Sequence, residues 1–142
     1  MADLIQLDVV TPERRVVSER VESVAVPGAN GELGILPAHS PLISQLQTGV
    51  LSYTQSGVTH QLHVSGGFVE VNHDRVSVLA EIAELPEEID AAKARAEKEQ
   101  FEKALGSFSG NDEDFEKLRT ALERAKVRLR LASGGGTAAA HS

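Results

Sequence analysis

The sequence predicts an α+β chain in which the two classes follow one another. An N-terminal antiparallel β-sandwich over residues 1–85 precedes a C-terminal antiparallel two-helix hairpin over residues 86–132. Three observations lead there. Apolar residues recur at every second position up to about residue 85, the spacing turns helical after Pro86, and clusters of Gly, Pro, Asn and Asp cut the first part into short strands. Residues 133–142, Ser133-Gly134-Gly135-Gly136-Thr137-Ala138-Ala139-Ala140-His141-Ser142, are poor in large apolar side chains and are expected to form a disordered tail.

The elements follow in order. Ile5, Leu7 and Val9 alternate with Gln6 and Asp8 before Thr11-Pro12 turns the chain. Val24 and Val26 alternate before the turn formers Pro27 to Gly31. Residues 50–54 and 58–64 flank Gln55-Ser56-Gly57, a connection that fits a hairpin. Phe68, Val69 and Val71 lead into Asn72-His73-Asp74, and Val76, Val78 and Ala80 continue as a second hairpin. At Pro86 a helix is expected to begin, with Glu87, Glu88 and Asp90 at its positive end and Ala91, Ala94, Phe101 and Leu105 on one stripe. Residues 106–111 break it, and Asn111 or Asp112 caps a second helix whose seam is Phe115, Leu118, Leu122, Ala125 and Leu129. Helices of this length are marginal alone, and an Ala-rich face buries only ~0.8 kcal/mol per methylene, so the hairpin must dock on something.

Bulk composition narrows the function classes. The 142 residues suffice for one domain with a core, or a small domain with an appendage; aromatics are 4% with no Trp, so the core must be aliphatic. Without Cys there is no disulfide, thiolate nucleophile or Cys-bound metal. No apolar run approaches the roughly 20 residues that span a bilayer, which excludes direct membrane insertion. The net charge of −7 disfavours a general nucleic-acid binder. Against that background residues 117–130 hold six cations and one acid, a basic segment suited to one acidic partner patch. With a single acid inside the run, pairing along the helix does not account for so many cations.

A catalytic constellation does not emerge. His60 and His63 stand three apart on a strand and face opposite ways, so they are read as scattered surface histidines and no metal site is expected. Ser65-Gly66-Gly67 lacks the context of a nucleophile elbow and reads as a bulge or a close backbone approach. Gly28 to Gly34 matches neither nucleotide-binding loop. Glu81, Glu84, Glu87 and Glu88 read as a solvated face before a helix. Glu32 and His39, in Gly31-Glu32-Leu33-Gly34-Ile35-Leu36-Pro37-Ala38-His39-Ser40-Pro41-Leu42-Ile43, are an acid and an imidazole whose distance nothing local sets. Gly31, Gly34, Pro37 and Pro41 shape that loop, while Leu33, Ile35 and Leu36 are expected to anchor it to the core.

Three blocks carry a resemblance: Leu7-Asp8-Val9-Val10-Thr11-Pro12, the stretch from Gly31 to Leu42, and Ser65-Gly66-Gly67-Phe68-Val69-Glu70-Val71. With the strand 76–80 and the hairpin following in order, residues 4–132 resemble the epsilon subunits of bacterial F-type ATP synthases; the Gly-rich tail has no counterpart. The resemblance implies a non-catalytic central-stalk subunit, present once per complex, that joins gamma to the c-ring and couples proton flow to ATP synthesis. Its location would be peripheral, on the cytoplasmic face of the bacterial inner membrane, and the lack of a transit-like start agrees with a bacterial setting. It implies Glu32, His39 and Leu42 at the c-ring and gamma interface. It also implies a hairpin that inhibits ATP hydrolysis by extending toward acidic segments of the beta subunits in the alpha/beta head, with Arg119, Arg124, Arg128 and Arg130 as the contacts. Some members bind regulatory ATP through an Ile/Leu-Asp-x-x-Arg-Ala motif and arginines of the second helix. The implied positions are Ile89, Asp90, Lys93, Arg124 and Arg128, weakened because Lys93 lacks the planar fork of arginine; no other cofactor is implied. The residues also fit a free-standing binding module whose hairpin dimerises, or a small hydrolase using Glu32 and His39.

Overall fold

The computed structural model describes residues 3–134 and 137–139. Eight strands come first: β1 (Ile5–Val10), β2 (Arg15–Val21), β3 (Ser23–Gly28), β4 (Gly31–Ile35), β5 (Leu42–Gln45), β6 (Gly49–Gln55), β7 (Val58–Val71) and β8 (Arg75–Glu84). They pair in the order β2-β1-β8-β7-β6-β3-β4, with β5 also on β7. The pairs are antiparallel except β1 and β8, which run parallel because the rest of the sandwich lies between them in the chain. Ser56 and Gly57, at φ of 51° and 78°, make the two-residue turn between β6 and β7, the primed geometry whose twist matches the strands.

The 14-residue strand β7 serves both layers. Its first half pairs with β6 and its last four residues pair with β5, while β8 runs along its other edge. Gly66 and Gly67, with φ of 74° and 99°, lie between the two halves. A Cβ on Gly67 would collide with the Leu79 carbonyl, so the Gly-Gly step is the expected close approach; the register with β8 runs through it without a shift. The core is aliphatic throughout, built on Leu7, Val9, Val26, Leu51, Leu62 and Val69 with their neighbours. Each such side chain contributes about 1.5–3 kcal/mol on full burial.

Residues 31–42 are not one loop. β4 takes Gly31–Ile35, a connection follows, and β5 begins at Leu42. Ile35 is buried and Leu33 packs on the core, but Leu36 is 64% exposed, because beyond the end of β4 its side chain has no sheet face to point into. Gly31 holds a left-handed φ of 117°, whereas Gly34 has neither a positive φ nor a crowding neighbour.

The helical part starts later than its composition suggests. Pro86–Glu88 form one 3-10 turn, and α1 (Ala91–Gly106) begins at Asp90, whose carboxylate accepts the Lys93 N–H as the N-cap. α2 (Asp112–Gly134) is capped by Asn111, whose Oδ1 accepts the Asp114 N–H at 2.8 Å. Its buried residues are Leu122, Ala125, Val127 and Leu131, while Phe115 at the hairpin tip stays 36% exposed. The narrow seam missed Val127 and Leu131, since α2 packs on α1 and on the sandwich at once. Where a tail was expected, α2 continues to Gly134 and β9 (Thr137–Ala139) pairs antiparallel with residues 58–60 of β7. Backbone pairing of three residues needs no large apolar side chain, so composition does not reveal it. Residues 135, 136 and 140–142 of the expected tail lie outside the described residues.

Candidate functional site

Three places gather the sequence-predicted residues, and the first is where α2 meets the sandwich. From Leu62 to Ser65 four consecutive residues of β7 are buried, so here the strand is covered on both faces. Leu62 and Val64 belong to the sandwich core, while His63 and Ser65 share the opposite face with α2. Arg124 donates from Nε to Ser65 Oγ at 2.7 Å, and that hydroxyl is also hydrogen-bonded to Thr48 Oγ1 at 2.6 Å. One turn on, Arg128 Nε donates to Glu84 Oε1 at 2.7 Å, and the same oxygen lies 2.8 Å from His63 Nδ1.

His63 is not a surface histidine: it has no exposed area. Facing an ionised carboxylate, which only accepts, its Nδ1 must carry the proton. In the neutral ring this leaves Nε2 a bare acceptor, and that buried nitrogen has no partner among the described residues. Held chiefly by the His63 hydrogen bond, and further by Arg128, the Glu84 carboxyl is lowered from 4.5 to about 2. Three of the four acids read as a solvated face are thus engaged, and Glu87 is exposed. Glu84 takes His63 and Arg128, Glu81 lies 3.7 Å from Arg124, and Glu88 binds Arg14 at 2.7 Å.

The basic segment changes meaning in the fold. Lys117, Arg119 and Lys126 pair along the helix with Glu113, Glu116 and Glu123, and Arg124 and Arg128 pair with the sandwich. Pairing therefore accounts for five of the six cations, because acids just upstream in α2 and across the packing contact supply what the run itself lacks. Arg130 is exposed and carries no ion pair among the described residues.

The second place is a cavity of about 190 Å³ lined by Ile89, Asp90, Lys93, Ala94 and Arg128 together with Glu84, Glu88 and Glu97. It collects four of the five implied nucleotide positions; Arg124 is directed instead to Ser65. Four carboxylates face two cations there, an unfavourable lining for a polyphosphate.

The third place is the outer surface of the sandwich. Glu32 is exposed on β4, and His39 directs Nδ1–H to its neighbour's Ser40 carbonyl at 2.7 Å. No hydrogen bond joins Glu32 to His39 among the described residues, and the acid–base pair of a hydrolase does not form. Leu42 is half-buried against the core. Ala38 N–H donates to the His73 carbonyl, fastening this connection to the β7–β8 turn. Beside it lies a feature the sequence reading missed. Phe68 pairs with Leu79 across β7 and β8, and Ile43 stands on the same face of β5; they are 50%, 56% and 70% exposed. Strand alternation already placed Phe68 and Leu79 opposite the core residues Val69 and Val78, which was the available signal.

Comparison with known proteins identifies the family of the chain. Residues 4–86 match the family described as ATP synthase, Delta/Epsilon chain, beta-sandwich domain, and residues 87–133 match its long alpha-helix domain. The chain is 41% identical over 136 residues to ATP synthase epsilon chain 2 of Syntrophotalea carbinolica, covering 96% of this chain and 99% of that one. It is 44% identical over 132 residues to the epsilon chain of Desulforamulus reducens, covering 93% and 99%. Among solved structures it superposes on a chain of the Euglena gracilis mitochondrial ATP synthase OSCP/F1/c-ring assembly with a TM-score of 0.77 at 26% identity, over 92% of this chain and 81% of that one. A chain of the Tetrahymena thermophila central stalk and c-ring shares the fold, with a TM-score of 0.63 at 14% identity over 90% and 96%. With both halves matched in order and near-complete relatives above 40% identity, the chain belongs to the bacterial F-type ATP synthase epsilon family, whose members are non-catalytic subunits of that complex.

Proposed function

We propose that this chain is a central-stalk subunit that joins gamma to the c-ring and so couples proton flow to ATP synthesis, on the cytoplasmic face of the bacterial inner membrane. The observation that carries this reading is the outward apolar face of Ile43, Phe68 and Leu79 on three neighbouring strands. Three large apolar side chains clustered in water mark a surface that is covered in the assembly, and gamma is the partner that fits it. Glu32 and His39 supply directed polar groups toward the c-ring, with Leu42 fixing the backbone between them and the core. No helix among the described residues is long and apolar enough to cross a membrane, so the complex provides the attachment. Replacing Phe68 and Leu79 by Ser should release the chain from the purified complex while leaving its own fold intact; full retention at native stoichiometry would overturn the assignment. The free-standing module, with a sandwich that binds and a hairpin that dimerises, is disfavoured by the family match over both halves of the chain, since an apolar face on the sandwich would suit either reading.

The hairpin is read as an inhibitor of ATP hydrolysis in an extended position, with Arg119, Arg124, Arg128 and Arg130 meeting acidic segments of the beta subunits. Support comes from the concentration of six cations against one acid in residues 117–130, since opposite charges favour that contact once the pairs to the sandwich are released. ATP is read as a poor ligand of the cavity at Ile89, Asp90 and Lys93, because its lining is dominated by carboxylates.

A further inference from the structure

Two of the four arginines given to the inhibitory contact are, in this structure, already held by the sandwich. Arg124 and Arg128 each reach from α2 to the sandwich, one to Ser65 and Glu81, the other to Glu84. Both side chains are only about a quarter exposed, at 28% and 24%, so the contacts are shielded from water and salt compared with the surface pairs at Lys117 and Arg119.

Three features make this more than a chance pairing. The acceptors are oriented from behind: His63, fully buried, holds Glu84, and Thr48 holds the Ser65 hydroxyl. The two arginines are four residues apart, so they present one face of α2, and their acceptors lie on neighbouring strands where His63 pairs with Glu84 and Ser65 with Ile82. Finally, the apolar part of the contact is thin, with Val127 and Leu131 as the buried residues of α2 beyond the Leu122 and Ala125 that complete its inner stripe. Polar contacts therefore hold a large share of the docked position.

We infer that Glu84, positioned by His63, acts with Ser65 and Glu81 as an internal stand-in for the acidic partner, so that the docked and inhibitory positions of the hairpin compete for the same two guanidinium groups. This rests on the inhibitory reading above and adds what sets the resting position. His63 is a positioning residue: its Nδ1–H fixes the rotamer of Glu84 and leaves the other lone pair of the same oxygen, Oε1, for Arg128. Undocking then exchanges one set of charge-assisted hydrogen bonds for another, which keeps the two positions close in free energy. The two classes of substitution should differ: losing acid on the sandwich favours extension, whereas losing cation on α2 weakens both positions and moves the ratio between them less.

The test uses the full chain, which has no Cys, carrying Ser109→Cys in the hairpin tip and Ser18→Cys on β2 for a donor–acceptor dye pair, and the assembled complex. Glu84→Gln keeps the shape but removes the charge; Glu84→Ala, at a half-buried side chain, and Ser65→Ala, at a small one, remove the acceptors outside the aliphatic core. A charge-assisted hydrogen bond exceeds a neutral one enough that Glu84→Gln should shift the docked-to-extended ratio about five- to tenfold toward extended. His63→Asn should shift it the same way and add nothing when combined with Glu84→Ala. An unchanged energy-transfer ratio in Glu84→Gln and Glu84→Ala alike, with circular dichroism unaltered, would overturn the inference. Additive effects of His63→Asn and Glu84→Ala would overturn the positioning role. In the assembled complex the same variants should hydrolyse ATP more slowly. A shifted ratio with unchanged hydrolysis would leave the internal contact standing and refute the inhibitory reading, so the two fail separately.

Discussion

At the scale of single residues the informative group is Glu84. Its carboxyl titrates near 2 instead of 4.5 because the His63 N–H, and then Arg128, favour the ionised form. A depressed carboxylate stabilises the folded state above its unfolded value and loses that contribution as pH falls through the folded one. The window therefore runs from about pH 4.5 down to about 2. Denaturant titrations from pH 6 to pH 2 should show the native chain losing its advantage over Glu84→Gln across that window; a difference between the two that stays constant with pH would contradict the assignment. Arg124 and Arg128 were legible in the sequence as cations of interest, but their acceptors were not. Ser65 was read for backbone geometry and His63 as a surface residue, because alternation says which residues share a face of β7 and not what covers each face.

Among the elements, the hairpin was the most legible and the most revised. Its two helices and the Asn111 cap follow from helix formers and a cap residue at the right place. Its start moved from Pro86 to Asp90, since a proline that begins a 3-10 turn and one that begins an α-helix have the same local preference. The cavity at the root of α1 carries a prediction of its own. Lys93 is exposed at its rim, Arg128 is committed to Glu84, and three more carboxylates line it, so millimolar ATP should give no saturable heat in calorimetric titration. Submillimolar binding would show that Arg128 leaves Glu84 for phosphate and would reverse this reading. Strand β7 shows the other limit of element-level reading. Alternation reads its two glycines as a bulge or a close approach, and the structure has the approach, at Gly67; only pairing with β6, β5 and β8 shows that one strand links both layers.

For the whole molecule, the arginines of α2 divide by what they touch when docked. Arg119 pairs only with Glu116 on its own helix and Arg130 with no carboxylate among the described residues, whereas Arg124 and Arg128 bind the sandwich. Reversing Arg119 and Arg130 to Glu should thus relieve inhibition of hydrolysis in the assembled enzyme without moving the docked position of the isolated chain. Unchanged hydrolysis in that double variant would remove these two residues from the inhibitory contact. The outer face of Ile43, Phe68 and Leu79 belongs to this scale too, for it is a surface only because three strands bring it together.

By itself the sequence determined the order and type of the elements, the aliphatic core, the Gly-Gly approach and the family, because periodicity, turn chemistry and motif blocks are local and survive reading one residue at a time. The tertiary structure alone decided that β1 runs parallel to β8, that His63 is buried, and that the basic helix is held by the sandwich. The physical reason is separation: Arg124 meets Ser65 across 59 positions and Arg128 meets Glu84 across 44, and no spacing rule along the chain specifies which charges a packed sheet and helix will bring within 3 Å.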